Sequence, residues 1–203
     1  MSSRYIPFFT SVYETKLWGD NGRTEYAGSS GTGSKLETNL DYYIPYVRSF
    51  LKEYHIRSVA DLGCGDFLCG PELYKGMDIR YTGYDAYAKI VDANTKDYPG
   101  FRFKHLDIVN DIDNVESADV CILKDVLQHL LLADIYTLLD RLVDSKKFKY
   151  ILICNCSHQK ADDPELPRWY CRDLSADYLP LKKYTARVLL RYRTKELSLI
   201  TTQ

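Results

Sequence analysis

The stretch Val59-Ala60-Asp61-Leu62-Gly63-Cys64-Gly65-Asp66-Phe67 limits what this chain can fold into more than any other segment. A short apolar run, residues 57–62, passes directly into a D-x-G-x-G turn. That pattern reads as a strand of a parallel sheet whose carboxyl edge opens into glycine-rich backbone. A ligand can approach the main chain closely there, and N–H groups can face an anionic part of it. The next two strand-like runs, 80–85 and 101–107, end in Asp85 and Asp107. Asp85 follows the glycines by about 20 residues, the spacing at which a carboxylate accepts the ribose hydroxyls of a nucleoside. Asp107, one strand further on, stands within reach of an adenine amino group. A lone G-x-G carries little information; three successive strand ends with acids carry far more.

The remaining periodicity agrees with that start. Tyr43, Val47, Phe50, Leu51 and Tyr54 recur at helical spacing, with Pro45 tolerated in the first turn. Short helices are expected over Pro71–Lys75 and 86–98. Residues 118–125 form a continuous apolar run suited to a strand buried on both faces. Ile135, Leu138, Leu139 and Leu142 mark an amphipathic helix with Asp134 as its N-cap. Residues 149–155 make a fifth strand, and 155–180, with Pro164, Pro167 and Pro180, read as a long loop. Two last strands, 186–192 and 195–201, meet at a tight turn at Arg193-Thr194. The fold class is α/β, a doubly wound Rossmann-like sheet, mostly parallel with a C-terminal antiparallel hairpin.

At 203 residues, 45% hydrophobic and 27% charged, the chain suits a single globular domain rather than a disordered or fibrous one. We divide it into an N-terminal extension (1–36), a ligand-binding core (37–155), and an acceptor-side loop with the hairpin (156–203). Residues 19–34 hold five of the eleven glycines and are expected to act as a lid. Charge is uneven: 14 basic against 21 acidic residues through position 140, then 13 against 7. The basic C-terminal third leaves room for an anionic ligand, though solvated faces explain such a bias as well. No C-x-x-C pair occurs among the six cysteines, and no apolar stretch reaches membrane-span or signal-peptide length. A reduced, cytoplasmic location is the expectation. The four histidines are too scattered for zinc.

VADLGCGDF, YTGYDAY, FKHLDIVND and DVCILKDVLQHL resemble the successive motifs of class I S-adenosylmethionine-dependent methyltransferases. Over nearly the whole chain, KLWGDNG…SSGTGS with DLGCGDF and KDVLQHL resembles a small group from bacteria and large algal viruses. That group is associated with O-methylation of glycan sugars, including deoxysugars such as rhamnose. The resemblance implies S-adenosylmethionine as cofactor and a carbohydrate acceptor. No metal is expected, because convergent carboxylates beyond Asp125 are not evident, and no nucleic acid, because the basic residues do not cluster in a recognisable binding module. The resemblance implies that Gly63, Cys64 and Gly65 line the methionine part, Asp85 the ribose, and Asp107 with Ile108 the adenine. Trp18, Ser34, Asp61, Ala86 and Lys124 complete the expected cofactor set.

For catalysis, Asp125 and His129 stand four apart after the fourth strand, where a helix would put them on one face. Asp125 would orient His129, and His129 would take the proton of the acceptor hydroxyl. His158, near Asp162 and Asp163, is the alternative base. Trp18, Trp169 and Tyr170 are the aromatic candidates for a sugar face. The rival readings are a nucleic-acid or protein methyltransferase and a catalytically silent cofactor-binding subunit. Against base methylation, the fourth strand runs into LKDV, not an Asn/Asp-Pro-Pro-aromatic sequence.

Overall fold

The computed structural model describes residues 3–26, 28–157 and 181–202. Within them, seven strands form one sheet: β1 (Ser58–Leu62), β2 (Arg80–Asp85), β3 (Arg102–His105), β4 (Val120–Lys124), β5 (Tyr150–Cys156), β6 (Arg187–Tyr192) and β7 (Lys195–Thr201). Their order is β3-β2-β1-β4-β5-β7-β6. β1 to β5 run parallel, and β7 enters antiparallel between β5 and β6. The doubly wound sheet and the reversed terminal hairpin match the expectation from sequence.

Strand alternation builds two cores, because successive side chains point to opposite faces. Ala60, Leu62, Cys121, Leu123, Ile151 and Ile153 pack with Ile135, Leu138, Leu139 and Leu142 of α6 (Leu132–Asp144). Val59, Val120, Ile122, Leu152 and Cys154 pack with Val47, Phe50 and Leu51 of α3 (Tyr43–Glu53). Pro45 sits in the first turn of α3, where its missing N–H costs nothing. Each fully buried Leu or Ile on α6 contributes roughly 1.5–3 kcal/mol, so the stripe at 135, 138, 139 and 142 holds that helix to the sheet.

Several local expectations need correcting. α6 begins two residues before Asp134, and its N-cap Leu131 makes no side-chain cap bond. Asp134 instead accepts the Tyr5 hydroxyl from another helix, α1 (Tyr5–Glu14). The sequence reading missed α1. Its aromatic and β-branched run with Pro7 has weak intrinsic helicity, and tertiary packing of Tyr5, Val12 and Tyr13 holds it. The helix expected over 86–98 is α5 (Ala88–Asp97), and that expected over 71–75 is α4 (Gly70–Leu73). A further single-turn helix, α2 (Leu36–Asn39), follows a 3₁₀ turn at Thr32–Ser34. Between β4 and α6, Asp125 has φ +60° and Leu127–His129 is a 3₁₀ turn, so no α-helix puts Asp125 and His129 on one face.

Candidate functional site

At the carboxyl ends of the strands, around the point between β1 and β4 where strand order reverses, lies a cavity of about 590 Å³. Open α/β sheets bind ligands at this place, and the size suits a cofactor-sized molecule. Trp18, Ser34, Asp61, Gly63, Cys64, Gly65, Asp85, Ala86, Asp107, Ile108, Lys124, Asp125 and His129 all line it. His158, Asp162, Asp163, Trp169 and Tyr170 lie outside the described residues.

The glycine turn owes its shape to left-handed backbone. Gly63 has φ +82°, and a Cβ on it would stand 2.4 Å from Val126 Cγ2. Its amides, however, are used within the protein. Gly63 and Cys64 N–H donate to the Tyr84 carbonyl at 2.7 and 3.0 Å, Gly65 N–H to Asp85 Oδ2 at 3.0 Å, and Asp66 N–H to Ser30 Oγ at 2.8 Å. The expectation that these N–H groups face an anion is therefore corrected. They lock the turn onto β2, and the turn offers close-packed backbone instead of free donors.

Asp85 ends β2 with both oxygens facing amides, Oδ1 accepting the Tyr87 N–H at 3.0 Å. Burial pushes its carboxyl above the ordinary range, against the pull of those two amides. Asp107 accepts Val109 and Asn110 N–H on Oδ1, and the Asn110 amide and Ser3 hydroxyl on Oδ2. It braces the turn that sets Ile108 and Val109 into the cavity wall. Asp61, at the end of β1, accepts the Tyr81 hydroxyl at 2.8 Å. Burial raises its carboxyl to about 6, although Tyr81 and Lys124 pull the other way.

The N-terminal extension supplies the other wall. Asp66 Oδ2 accepts the Ser30 N–H at 3.0 Å and the Ser34 hydroxyl at 3.3 Å, while the Tyr13 and Ser30 hydroxyls share a bond of 2.9 Å. Asp66 Oδ1 is buried without a hydrogen-bond partner. Trp18 lies against His129 with ring centroids 4.9 Å apart, and Phe9 meets the same imidazole edge-on at 6.5 Å. The sequence reading singled out Trp18, Ser34 and His129; Phe9 and Tyr13 were hidden with α1.

The expected Asp125–His129 pair is not formed. Asp125 Oδ2 accepts Lys124 Nζ at 2.8 Å, and Oδ1 accepts Lys195 Nζ from β7. Burial would raise this carboxyl, but the two ammonium groups outweigh it and hold it far below the usual range. Lys124 also donates to the Gly33 carbonyl at 2.6 Å, which ties the extension to β4. Gln128 lies beside His129, its Nε2 3.5 Å from His129 Nε2 and its Oε1 accepting the Cys156 N–H at 2.9 Å. No signal in the sequence pointed to Lys195, Cys156 or Gln128, which line the cavity from β7, β5 and the turn after β4.

Among the described residues no group of three or more His, Cys, Asp or Glu side chains could hold a metal, and no helix is long and apolar enough to cross a membrane. Cys64, Cys69, Cys121, Cys154 and Cys156 are free thiols.

The class this architecture defines is the class I methyltransferase fold. The structure is similar to the methyltransferase domain of bacterial CtHen1 (TM-score 0.65, 14% identity, 80% of this chain and 98% of that one). It is also similar to magnesium protoporphyrin IX methyltransferase ChlM from Synechocystis PCC 6803 with bound SAH (TM-score 0.57, 13% identity, 79% and 82%). A third likeness is to the N-terminal domain of EvdMO1 in the presence of SAH and D-fucose (TM-score 0.60, 12% identity, 87% and 86%). No family model and no curated protein matches the chain.

Proposed function

We propose that this protein is an S-adenosylmethionine-dependent O-methyltransferase acting on a sugar hydroxyl of a glycan. One observation carries the reading: one cavity at the switch point is lined both by Asp85 and by the Trp18–His129 pair. The residues fit the cofactor. Asp85 is a buried carboxylate lining the cavity, able to accept ribose hydroxyls beside its two amides. Ile108 and Leu106 offer an apolar wall to an adenine. The buried, unpartnered Asp66 Oδ1 matches a cationic group such as the cofactor's α-ammonium. When bound, S-adenosylmethionine supplies an electrophilic methyl on a sulfonium.

The protein's own part is positioning, exclusion of water and proton transfer. Trp18 and Phe9 roof the imidazole and keep bulk water from it. His129 takes the hydroxyl proton as the acceptor oxygen becomes nucleophilic. Asp125, committed to two lysines, holds the loop that carries His129 and does not act on the imidazole. EvdMO1, a neighbour solved with SAH and D-fucose, lends support to a sugar acceptor. The reduced thiols suit a cytoplasmic protein.

The test is calorimetric titration with S-adenosylhomocysteine, followed by turnover of labelled S-adenosylmethionine with monosaccharides, oligosaccharides and RNA in parallel. Label transfer to sugar supports the proposal. Transfer to RNA alone would replace it, and cofactor binding without any transfer would favour a silent subunit.

A further inference from the structure

We propose that the acceptor carries an oxyanion, a carboxylate or phosphate on the sugar, received by Arg193 with Lys124 and Lys195. This rests on the methyltransferase reading and sharpens its substrate class.

The sheet order divides the charges of the cavity. Asp61, Asp66, Asp85 and Asp107 belong to the β1–β3 side of the switch point, where the cofactor residues stand. The β4–β5–β7 side carries Lys124, Lys195 and Arg193, with Asp125 the one carboxylate among the described lining residues there. Asp125 spends both oxygens on the two lysines. The lysine side chains are only 14% and 13% exposed, so their ammonium groups stand largely out of bulk water in the wall of a ligand cavity. Withdrawing ammonium groups from water is costly, and charge-assisted acceptors offset that cost. A neutral sugar hydroxyl would use little of this wall. An oxyanion would complement its charge, because the three cations outnumber the one carboxylate.

Arg193 adds a feature the lysines lack. It occupies the hairpin turn between β6 and β7 in the left-handed region, φ +50°, which disfavours residues other than glycine. Arg193 is exposed there and is one of the residues that line the cavity. Guanidinium matches carboxylate and phosphate with two parallel N–H bonds, so it selects an oxyanion and fixes its orientation. Lys195 follows two residues later and is less exposed, with Nζ 3.2 Å from Cys156 Sγ. Arg193, Lys124 and Lys195 line the same cavity, which suits one acidic residue of a glycan or a sugar phosphate. A nucleic-acid backbone is held by a row of exposed cations, and here two of the three are recessed.

The experiment loads the full chain with S-adenosylhomocysteine and titrates methyl glucoside, methyl glucuronide, glucose 1-phosphate and an RNA oligonucleotide. The glucuronide or the sugar phosphate should bind at least about ten-fold tighter than the neutral glycoside, the scale of one hydrogen bond to a charged group. Whichever of the two binds tighter identifies the oxyanion. Arg193→Ala should lose most of that preference with S-adenosylhomocysteine affinity intact, and Arg193→Lys should recover part of it. Equal binding of neutral and acidic glycosides, no glycoside binding, an undiminished preference in Arg193→Ala, or tightest binding by RNA would each overturn the proposal while the methyltransferase reading stands. Failure of S-adenosylhomocysteine itself to bind would overturn both.

Discussion

The indole of Trp18 lies over the imidazole of His129, their ring centroids 4.9 Å apart and their planes inclined by 41°. Through this contact a residue of the N-terminal extension covers a residue of the loop after β4, more than a hundred positions along the chain. At this point the cavity wall is therefore built jointly by the extension and by the loop after β4. Substitutions at either face should be felt at the other.

His129→Ala should lower kcat by about 10²–10⁴, the usual contribution of a positioned base, with S-adenosylhomocysteine affinity nearly intact. The wild-type rate should fall in acid as the imidazole protonates. Steady-state kinetics across pH, beside thermal unfolding of the same variant, check this. A stable His129→Ala protein with normal kcat would transfer the role of base elsewhere, with His158 the next residue to change.

Asp125→Asn should act chiefly on stability. Removing the carboxylate leaves Lys124 and Lys195 side by side in the cavity wall, and breaking a buried pair in this way costs about 3 kcal/mol or more. Urea unfolding measures it. The sequence expectation, that Asp125→Asn would reproduce part of the His129→Ala loss through an untethered imidazole, predicts instead a stable protein with lowered kcat.

Asp85→Ala should weaken S-adenosylmethionine binding by roughly 1.5–3 kcal/mol, the scale of lost hydrogen bonds to a charged acceptor. The same carboxylate braces Gly65 and Tyr87 amides, so some loss of stability should accompany it. Calorimetry on the folded variant separates the two effects; unchanged affinity would remove Asp85 from the ribose site.

Gly63→Ala should both destabilise the fold and abolish cofactor binding. The residue is at φ +82°, and its new methyl would press on Val126 at 2.4 Å. Strain of this kind typically costs about 1–3 kcal/mol. A variant with wild-type melting temperature and wild-type affinity would show that the turn relaxes freely.

Asp61 makes a prediction about pH. Its carboxyl is raised to about 6 in the folded protein by burial, above its ordinary value of 3.8. The folded state thus holds the proton more tightly than the unfolded chain. The stability linked to that proton is complete below the ordinary value and is lost as pH rises through about 6. Asp61→Asn, which keeps a neutral side chain, should gain stability relative to the wild type as pH rises from about 4 to 7. Thermal melts across that range would show the gap widening; a constant gap would place the raised titration elsewhere.

Most of the parallel sheet was legible in the sequence, because a strand buried on both faces must be continuously apolar and a glycine turn at its end has few other uses. The runs at β1, β2, β4 and β5, the acids at Asp85 and Asp107, and the hairpin turn at Arg193-Thr194 all follow from local pattern, as does their meeting at one sheet edge. What local pattern did not determine is partnership. α1 forms because Tyr5 and Tyr13 find packing and Asp134 finds a hydroxyl, none of which a weakly helical segment announces. Asp125 and His129 are four apart and suggest a pair, yet the left-handed backbone at Asp125 breaks the helix that would join them. The carboxylate turns to Lys195, seventy residues on, which only the antiparallel return of β7 brings within reach. Sequence spacing determines which side chains share a local element; long-range charge pairs are decided by which strands become neighbours, and that is a property of the folded sheet alone.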